Sequence, residues 1–380
     1  MEQKDEFKDI RPYGDDEIRE VLLRIARHPW IAELVRRYRL PYINKKLFPL
    51  IRPLVSWKLA SIVRKIKTVD QFQREYIVKL VLDSIRRKST DGISADGLDA
   101  LSRDCPYLFI SNHRDITLDP AYINYFLALH GLNITEIAFG DNLMINDLVA
   151  DLIRANKSFI VHRGLPPREQ LASSIQLSRY INSRIRDGQS IWIAQREGRA
   201  KDGDDRTNPA VIKMFYLAHR KTGVDYTEMV KRYHIVPVAV SYEFDPCDRM
   251  KAWEMYRKEN RGSHSKGKYE DLASIYAGIQ GYKGRIHYQY CEPIKGEFSS
   301  EKEVAEAIDR AIHRGYRLWP NNYIGYDLLH GGSKYVDKYS DQERATFFAR
   351  FRRLPPQVRT KAFAAYAKPV ENREALEAES

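Results

Sequence analysis

The chain has 380 residues, a formal net charge of +12, 43% hydrophobic residues and 30% charged ones. That apolar content, with 24 Tyr, 14 Phe and 5 Trp, excludes a disordered polyelectrolyte, and the length suits one large domain or two ordinary ones. The excess of cations points to an anionic partner: nucleic acid, an anionic membrane face or a phosphorylated substrate.

The opening stretch, MEQKDEFKDIRPYGDDEIRE, is charged throughout and does not read as a signal peptide. Residues 1–30 are polar with a short helical pattern, and residues 31–88 read as helical and basic. Ten cations fall between Arg36 and Lys67 (Arg36, Arg37, Arg39, Lys45, Lys46, Arg52, Lys58, Arg64, Lys65, Lys67) with no acidic residue among them. Leu47, Leu50, Ile51, Leu54, Val55 and Ile62 trace a helical apolar face that Pro49 and Pro53 interrupt or kink. Cations on one side with Leu and Trp57 on the other is the pattern of a helix lying in a membrane interface. The plainer alternative is a helix packed on the domain with its charges solvated. No zinc-finger, RNP or homeodomain pattern accompanies the charge, so nucleic acid is not the expected partner.

From residue 100 to 295, apolar runs alternate with helix-like ones. The runs are Tyr107–Ser111, Ile134–Phe139, Ser158–His162, Ser190–Gln195, Ile235–Ser241 and Arg285–Cys291. Helices are expected over 120–131, 142–155, 167–187 and 208–222. The fold class expected is α/β, a mixed, largely parallel sheet flanked by helices, with an N-terminal helical basic segment and a C-terminal helical extension. The segments are 1–90, membrane-associating; 100–295, the α/β domain; and 296–380, the extension, which ends in ENREALEAES, expected to fray. The basic, aromatic stretch RATFFARFRRLPPQVRTKAFAAYAK reads as a second membrane-facing surface, a lid or a packed helical extension. The longest uncharged run in the middle of the chain, PAYINYFLALHGLNIT, falls short of the ~20 apolar residues a membrane span needs, so no transmembrane helix is expected. Cys105, Cys247 and Cys291 are widely spaced and include no CxxC. That excludes a disulfide framework and a thiolate metal site, and fits a reducing compartment.

Chemistry concentrates after the expected strands, where α/β sheets gather their sites. YLFISNHRDITLDPAYIN runs from a strand into a loop carrying Asn112, His113, Arg114, Asp115 and Asp119. A histidine with a carboxylate at hand is a suitable general base for an alcohol. Taken alone, the same residues also suit a loop histidine with Asp119 capping the next helix. HRDI is similar to the kinase catalytic loop, but Pro120 stands where its Asn belongs, and neither a Gly-rich loop nor D-F-G accompanies it. KSFIVHRG then ends a strand near Arg163, SIWIAQREGRAKDG presents Glu197, Gly198, Arg199 and Lys201, and IVPVAVSYEF places Pro237 inside a β run.

In order, these four segments resemble the blocks of the glycerol-phosphate and 1-acylglycerol-3-phosphate acyltransferase family over roughly residues 105–295. Asn112 and His113; Phe159, Ile160 and Arg163; Glu197 and Gly198; and Val236, Pro237 and Val238 carry the match. Two departures stand out. Five residues rather than four separate His113 from Asp119, so either the loop bulges or Asp115 takes the role of partner; Asp119, followed by Pro120, fits the family's turn better. The Thr of the third block is also missing, which leaves Arg199 or Lys201 as its phosphate-binding counterpart.

The resemblance implies a fatty acyl group moved from acyl-CoA or acyl carrier protein to the hydroxyl of 1-acylglycerol 3-phosphate. His113 would be the base with Asp119 or Asp115 behind it, and Arg163, Glu197, Gly198, Arg199 and Lys201 would lie around the acceptor phosphate. It implies no metal, no cofactor and no acyl-enzyme. The expected place is the cytoplasmic face of a membrane, peripherally bound to an anionic surface. Glycerol 3-phosphate or another lipid hydroxyl as acceptor, a thioester hydrolase using the same histidine, and a non-catalytic lipid-binding protein of the same fold are the alternatives.

Overall fold

The computed structural model describes residues 5–262 and 270–379. Residues 1–4 of the N-terminal segment, 263–269 of the α/β segment and Ser380 lie outside the described residues. The strands are β1 (Gly92–Asp96), β2 (Leu108–Ser111), β3 (Glu136–Gly140), β4 (Ser158–Val161), β5 (Ile191–Ala194), β6 (Ile235–Tyr242) and β7 (Arg285–Tyr290). The longer α-helices are α1 (Asp15–Arg27), α2 (Pro29–Arg39), α3 (Phe48–Val63), α4 (Leu118–Leu129), α5 (Asp147–Ala155), α6 (Pro167–Arg186), α7 (Asp248–Arg261), α8 (Glu270–Gln280), α9 (Glu301–Gly315), α10 (Pro320–His330), α11 (Asp341–Phe351) and α12 (Pro356–Ala378).

The fold is α/β, with mixed and mostly parallel strand pairing. The six expected strands form, each within two residues of its expected ends. Their apolar, β-branched runs suit burial on both faces, and β2 and β6 are buried along their whole length. β1 was not expected. Its sequence, GISAD, has two poor strand formers at its ends and is nowhere fully buried, so no apolar run marks it. α5 begins at Asp147 rather than 142 because the Asn146 side chain caps it by accepting from the Val149 N–H. The tail does not fray as expected: α12 runs to Ala378 and buries Val370 and Asn372.

The chain forms two compact units. The first comprises residues up to Val81 and Ile134–Leu177. In it β3 and β4 pair in parallel, and Ile18, Leu22, Val63, Ile66 and Ala155 form the core of a helical cluster. α3 packs Val63 and Leu59 into that cluster. Its other side carries Leu50, Leu54 and Trp57, with Leu47 just before it, at 59–79% exposure. The helix is thus apolar on two sides, not apolar on one and basic on the other. Within it the cations are only Arg52 and Lys58; Lys45 and Lys46 precede it, and Arg64, Lys65 and Lys67 follow it. Pro49 falls in its first turn, where the missing N–H costs no helical bond, while Pro53 lies inside the helix.

The second unit holds Leu82–Asn133 and Ser178 onward. Its strand order is β1-β7-β6-β2-β5, parallel at every pairing except β7 with β6. Pro237 is accommodated one residue outside the antiparallel register, which starts at Val238 opposite Tyr290. The loop after the C-terminal end of β2 leads through His113 into α4.

Candidate active site

His113 follows β2 by two residues, and its side chain is 13% exposed. Nδ1 lies 2.9 Å from Asp119 Oδ2. The same oxygen accepts the Arg114 N–H at 2.6 Å and the Asp115 N–H at 2.8 Å, and Oδ1 accepts the Tyr242 hydroxyl at 2.9 Å. Four donors on a fully buried carboxyl are what a carboxylate needs in place of water. With Asp119 as acceptor, Nδ1 is the donor of this bond, and in the neutral imidazole the lone pair then lies on Nε2. Among the described residues no hydrogen bond reaches Nε2. Trp192 sets the ring plane from the side, with centroids 5.7 Å apart in an edge arrangement, and its indole N–H is itself fixed on Ser111 Oγ at 3.0 Å.

The longer spacing between His113 and Asp119 is absorbed by where α4 starts. Thr117 is the N-cap residue and Asp119 sits in the first turn, facing back over the loop. A negative charge there is also favoured by the helix dipole. Asp115 does not reach the imidazole. Its Oδ1 accepts the Thr117 and Leu118 N–H groups at 2.9 and 2.8 Å, closing the start of the helix. Burial, then the neighbouring Asp119 charge, raises the Asp115 carboxyl above its ordinary range.

The loop after β5 carries the other expected residues. Gly198 has φ +73°, in the left-handed region open to glycine, and turns the chain there. Glu197 is exposed. Lys201 is ion-paired with Glu254 of α7. Arg199 is partly buried, and its Nη1 is buried with no hydrogen-bond partner among the described residues. Ala200 N donates to the His113 carbonyl at 2.8 Å, so this loop and the His113 loop are joined directly. Arg163 belongs to the first unit, where its guanidinium packs against Gly140.

The loop is stitched from beneath by residues the motifs do not include. Arg114 is buried between the Asp205 carboxylate at 2.6 Å and the Tyr316 ring at 5.6 Å. Burial opposes its charge, but Asp205 together with Tyr316, Asp245 and Asp119 outweighs that and holds the guanidinium above its usual range. Lys251 of α7 donates to the Arg114 carbonyl at 2.8 Å, and the Tyr288 hydroxyl of β7 donates to the Leu118 carbonyl at 3.3 Å. A buried histidine–carboxylate pair with one nitrogen left open, at the end of a central strand, is equipped to take a proton from a hydroxyl.

Residues 92–241 match the family model described as Acyltransferase. That stretch of the chain is similar to the acyltransferase family. The matched residues include β1, β2, β5, nearly all of β6, and the His113 and Glu197 loops, so the whole hydrogen-bonded pair lies inside the matched stretch. No curated protein matches the chain. Among solved structures, the crystal structure of the 1-acyl-sn-glycerophosphate (LPA) acyltransferase PlsC from Thermotoga maritima is similar at 15% identity, with 79% of this chain and 95% of that chain covered and a TM-score of 0.40. So distant a likeness carries no argument about what this chain does.

Proposed function

We propose that this acyltransferase moves a fatty acyl group from acyl-CoA or acyl carrier protein to the free hydroxyl of 1-acylglycerol 3-phosphate, with His113 as general base. The observation that carries the reading is the His113 Nδ1–Asp119 contact with Nε2 left open. Nε2 takes the hydroxyl proton as the oxygen bonds to the thioester carbonyl carbon. The carbon–sulfur bond then breaks, and the imidazolium returns the proton to the leaving thiolate. Asp119 stays ionised and stabilises the imidazolium between the two transfers. For the acceptor phosphate, Arg199 is the better supported of the two loop cations. Lys201 is engaged by Glu254, whereas Arg199 keeps an unsatisfied buried N–H that an anion would satisfy. Arg163 is the further candidate, and Glu197 and Gly198 would shape the same loop.

The same proposal places the protein peripherally on the cytoplasmic face of an anionic membrane. No helix among the described residues is long and apolar enough to cross one. The support is the exposed Leu47, Leu50, Leu54 and Trp57, bracketed by cations, which is the side-chain set that partitions into a headgroup layer.

The test is acyl transfer from labelled acyl-CoA to 1-acylglycerol 3-phosphate on anionic vesicles by wild type and His113→Ala. Wild type forms labelled phosphatidate and the variant is slower by ~10²–10⁴-fold. A His113→Ala protein with wild-type turnover would rule out the base. Product with glycerol 3-phosphate alone would move the acceptor, and free fatty acid without acceptor would make the enzyme a hydrolase.

A further inference from the structure

Asp205 lies outside every motif, yet its side chain touches both sequence neighbours of His113. Its Oδ2 accepts Asn112 Nδ2 at 3.0 Å and Arg114 Nη2 at 2.6 Å. Asn112 is in turn locked on β6, where Nδ2 donates to the Val240 carbonyl at 3.0 Å and Oδ1 accepts the Val240 N–H at 2.7 Å. Asn112, Arg114 and Asp205 are 0%, 7% and 2% exposed, so water competes little for these bonds.

Asp205 is itself held by the helices that follow β7. His313 of α9 donates Nε2–H to the Asp205 carbonyl at 2.8 Å, and Asp309 of the same helix accepts the Thr207 N–H at 2.7 Å. Asn372 of α12 donates to Asp204 Oδ1 at 3.3 Å. Gly203, at φ +78°, runs so close to α12 that a Cβ there would fall 2.1 Å from the Ala365 carbonyl oxygen. The loop is thus hydrogen-bonded to two helices at Asp204, Asp205 and Thr207 and packed closely on one of them at Gly203, which fixes where its carboxylate is presented.

We propose that Asp205 is a positioning residue: it clamps the backbone on both sides of His113, so that the imidazole meets Asp119 with Nε2 aimed at the reacting hydroxyl. The α9–α12 extension thereby belongs to the acyltransferase active site. This rests on the reading of His113 as the base. A buried ion pair alone would be weak evidence, since such pairs are often replaceable by apolar residues without loss of stability. Here that replaceability provides the test, because it separates support of the fold from positioning of the base.

The experiment compares wild type, Asp205→Asn, the double variant Asp205→Leu/Arg114→Met, and His113→Ala. All are assayed with palmitoyl-CoA and 1-acylglycerol 3-phosphate, alongside thermal melts. The double variant removes both charges together and keeps apolar bulk, so it should melt close to wild type. Its kcat should fall ~10²-fold, the scale of a small misplacement of a catalytic group, with KM little changed. Asp205→Asn keeps an oxygen acceptor and should retain more kcat than the double variant.

A second readout needs no turnover. The downfield proton resonance of the His113 imidazole N–H, identified by its absence in His113→Ala, should shift or broaden in the double variant. A double variant with wild-type kcat and an unmoved resonance would overturn the clamp while leaving the base intact. Wild-type turnover by His113→Ala would instead remove the base reading on which the clamp rests.

Discussion

Around α3, nine of the ten cations from Arg36 to Lys67 are exposed, and the tenth, Arg36, makes the single ion pair among the described residues, with Glu33. Behind His113, Arg114, Lys201, Lys251 and Arg350 each meet a carboxylate, Asp205, Glu254, Asp245 and Asp248 in turn. The same residue types are spent in opposite ways. In the first region charge is left available beside exposed apolar side chains; in the second it is neutralised locally and used to hold backbone. Net charge therefore says little about the catalytic loop, and the surplus that suggested an anionic partner sits largely in the region proposed to face a membrane.

Four results would break or sharpen that contrast. The largest effect belongs to Asp119→Asn. The amide forces an N–H toward the donors that the carboxylate now accepts and removes the charge behind the imidazole. kcat should fall by ~10²–10⁴-fold, and stability in urea melts by on the order of 3 kcal/mol. An unchanged kcat would detach the pair from catalysis.

Next is the triple variant Leu50→Ser/Leu54→Ser/Trp57→Ser. Each side chain is mostly exposed, so the melting temperature should hold. Partition onto anionic vesicles should weaken about tenfold per residue, from ~1.5 kcal/mol of lost apolar burial each. Undiminished sedimentation with vesicles would mean the face serves something else.

Raising salt from about 0.1 to 1 M shortens the screening length from ~10 to ~3 Å. Vesicle binding should drop, while the melting temperature, which depends on buried pairs, moves little. A salt-insensitive partition would separate the cations from the membrane.

The smallest effect concerns Lys283, the exception in the second unit. It is fully buried, and its Nζ donates to Ser89 Oγ at 2.9 Å and to the Gly281 carbonyl at 2.6 Å. Burial pushes its ammonium down to about 8. The unfolded chain, with an ordinary lysine near ~10.4, binds more protons between those values, so this group makes stability rise with pH there and adds nothing to the slope below about 8. Lys283→Met should remove a slope of up to about 1.4 kcal/mol per pH unit between pH 8 and 10, read as the difference from wild type in urea melts. Parallel curves would show that the ammonium is not disfavoured in the fold.

What could be read from the sequence divides along the same physical lines. The buried strands were legible because burial on both faces writes an unbroken apolar run, as in IVPVAVS. β1 was not, because an edge strand such as GISAD is selected for pairing rather than for burial. His113 and Asp119 were legible as types near a strand end, but their pairing, and the turning away of Asp115, depend on where α4 begins. The exposure of Leu50 and Trp57 was hidden because sequence periodicity cannot tell an apolar face that packs from one that does not. Asp205 gave no signal: it is one acidic residue in DGDD, and only the folded chain brings it beside Asn112 and Arg114.

The supports of the catalytic loop have a consequence for how this activity can be moved or inherited. A fragment ending at residue 241 would carry every recognisable motif. It would lack the Tyr242 hydroxyl on Asp119, the Lys251 grip on Arg114, the Tyr288 bond to α4 and the His313 bond to Asp205. The motifs are thus not a portable cassette. Grafting them onto another scaffold would transfer the reacting groups without their foundations, and drift in the helices after β7 would be constrained by chemistry performed more than a hundred residues earlier.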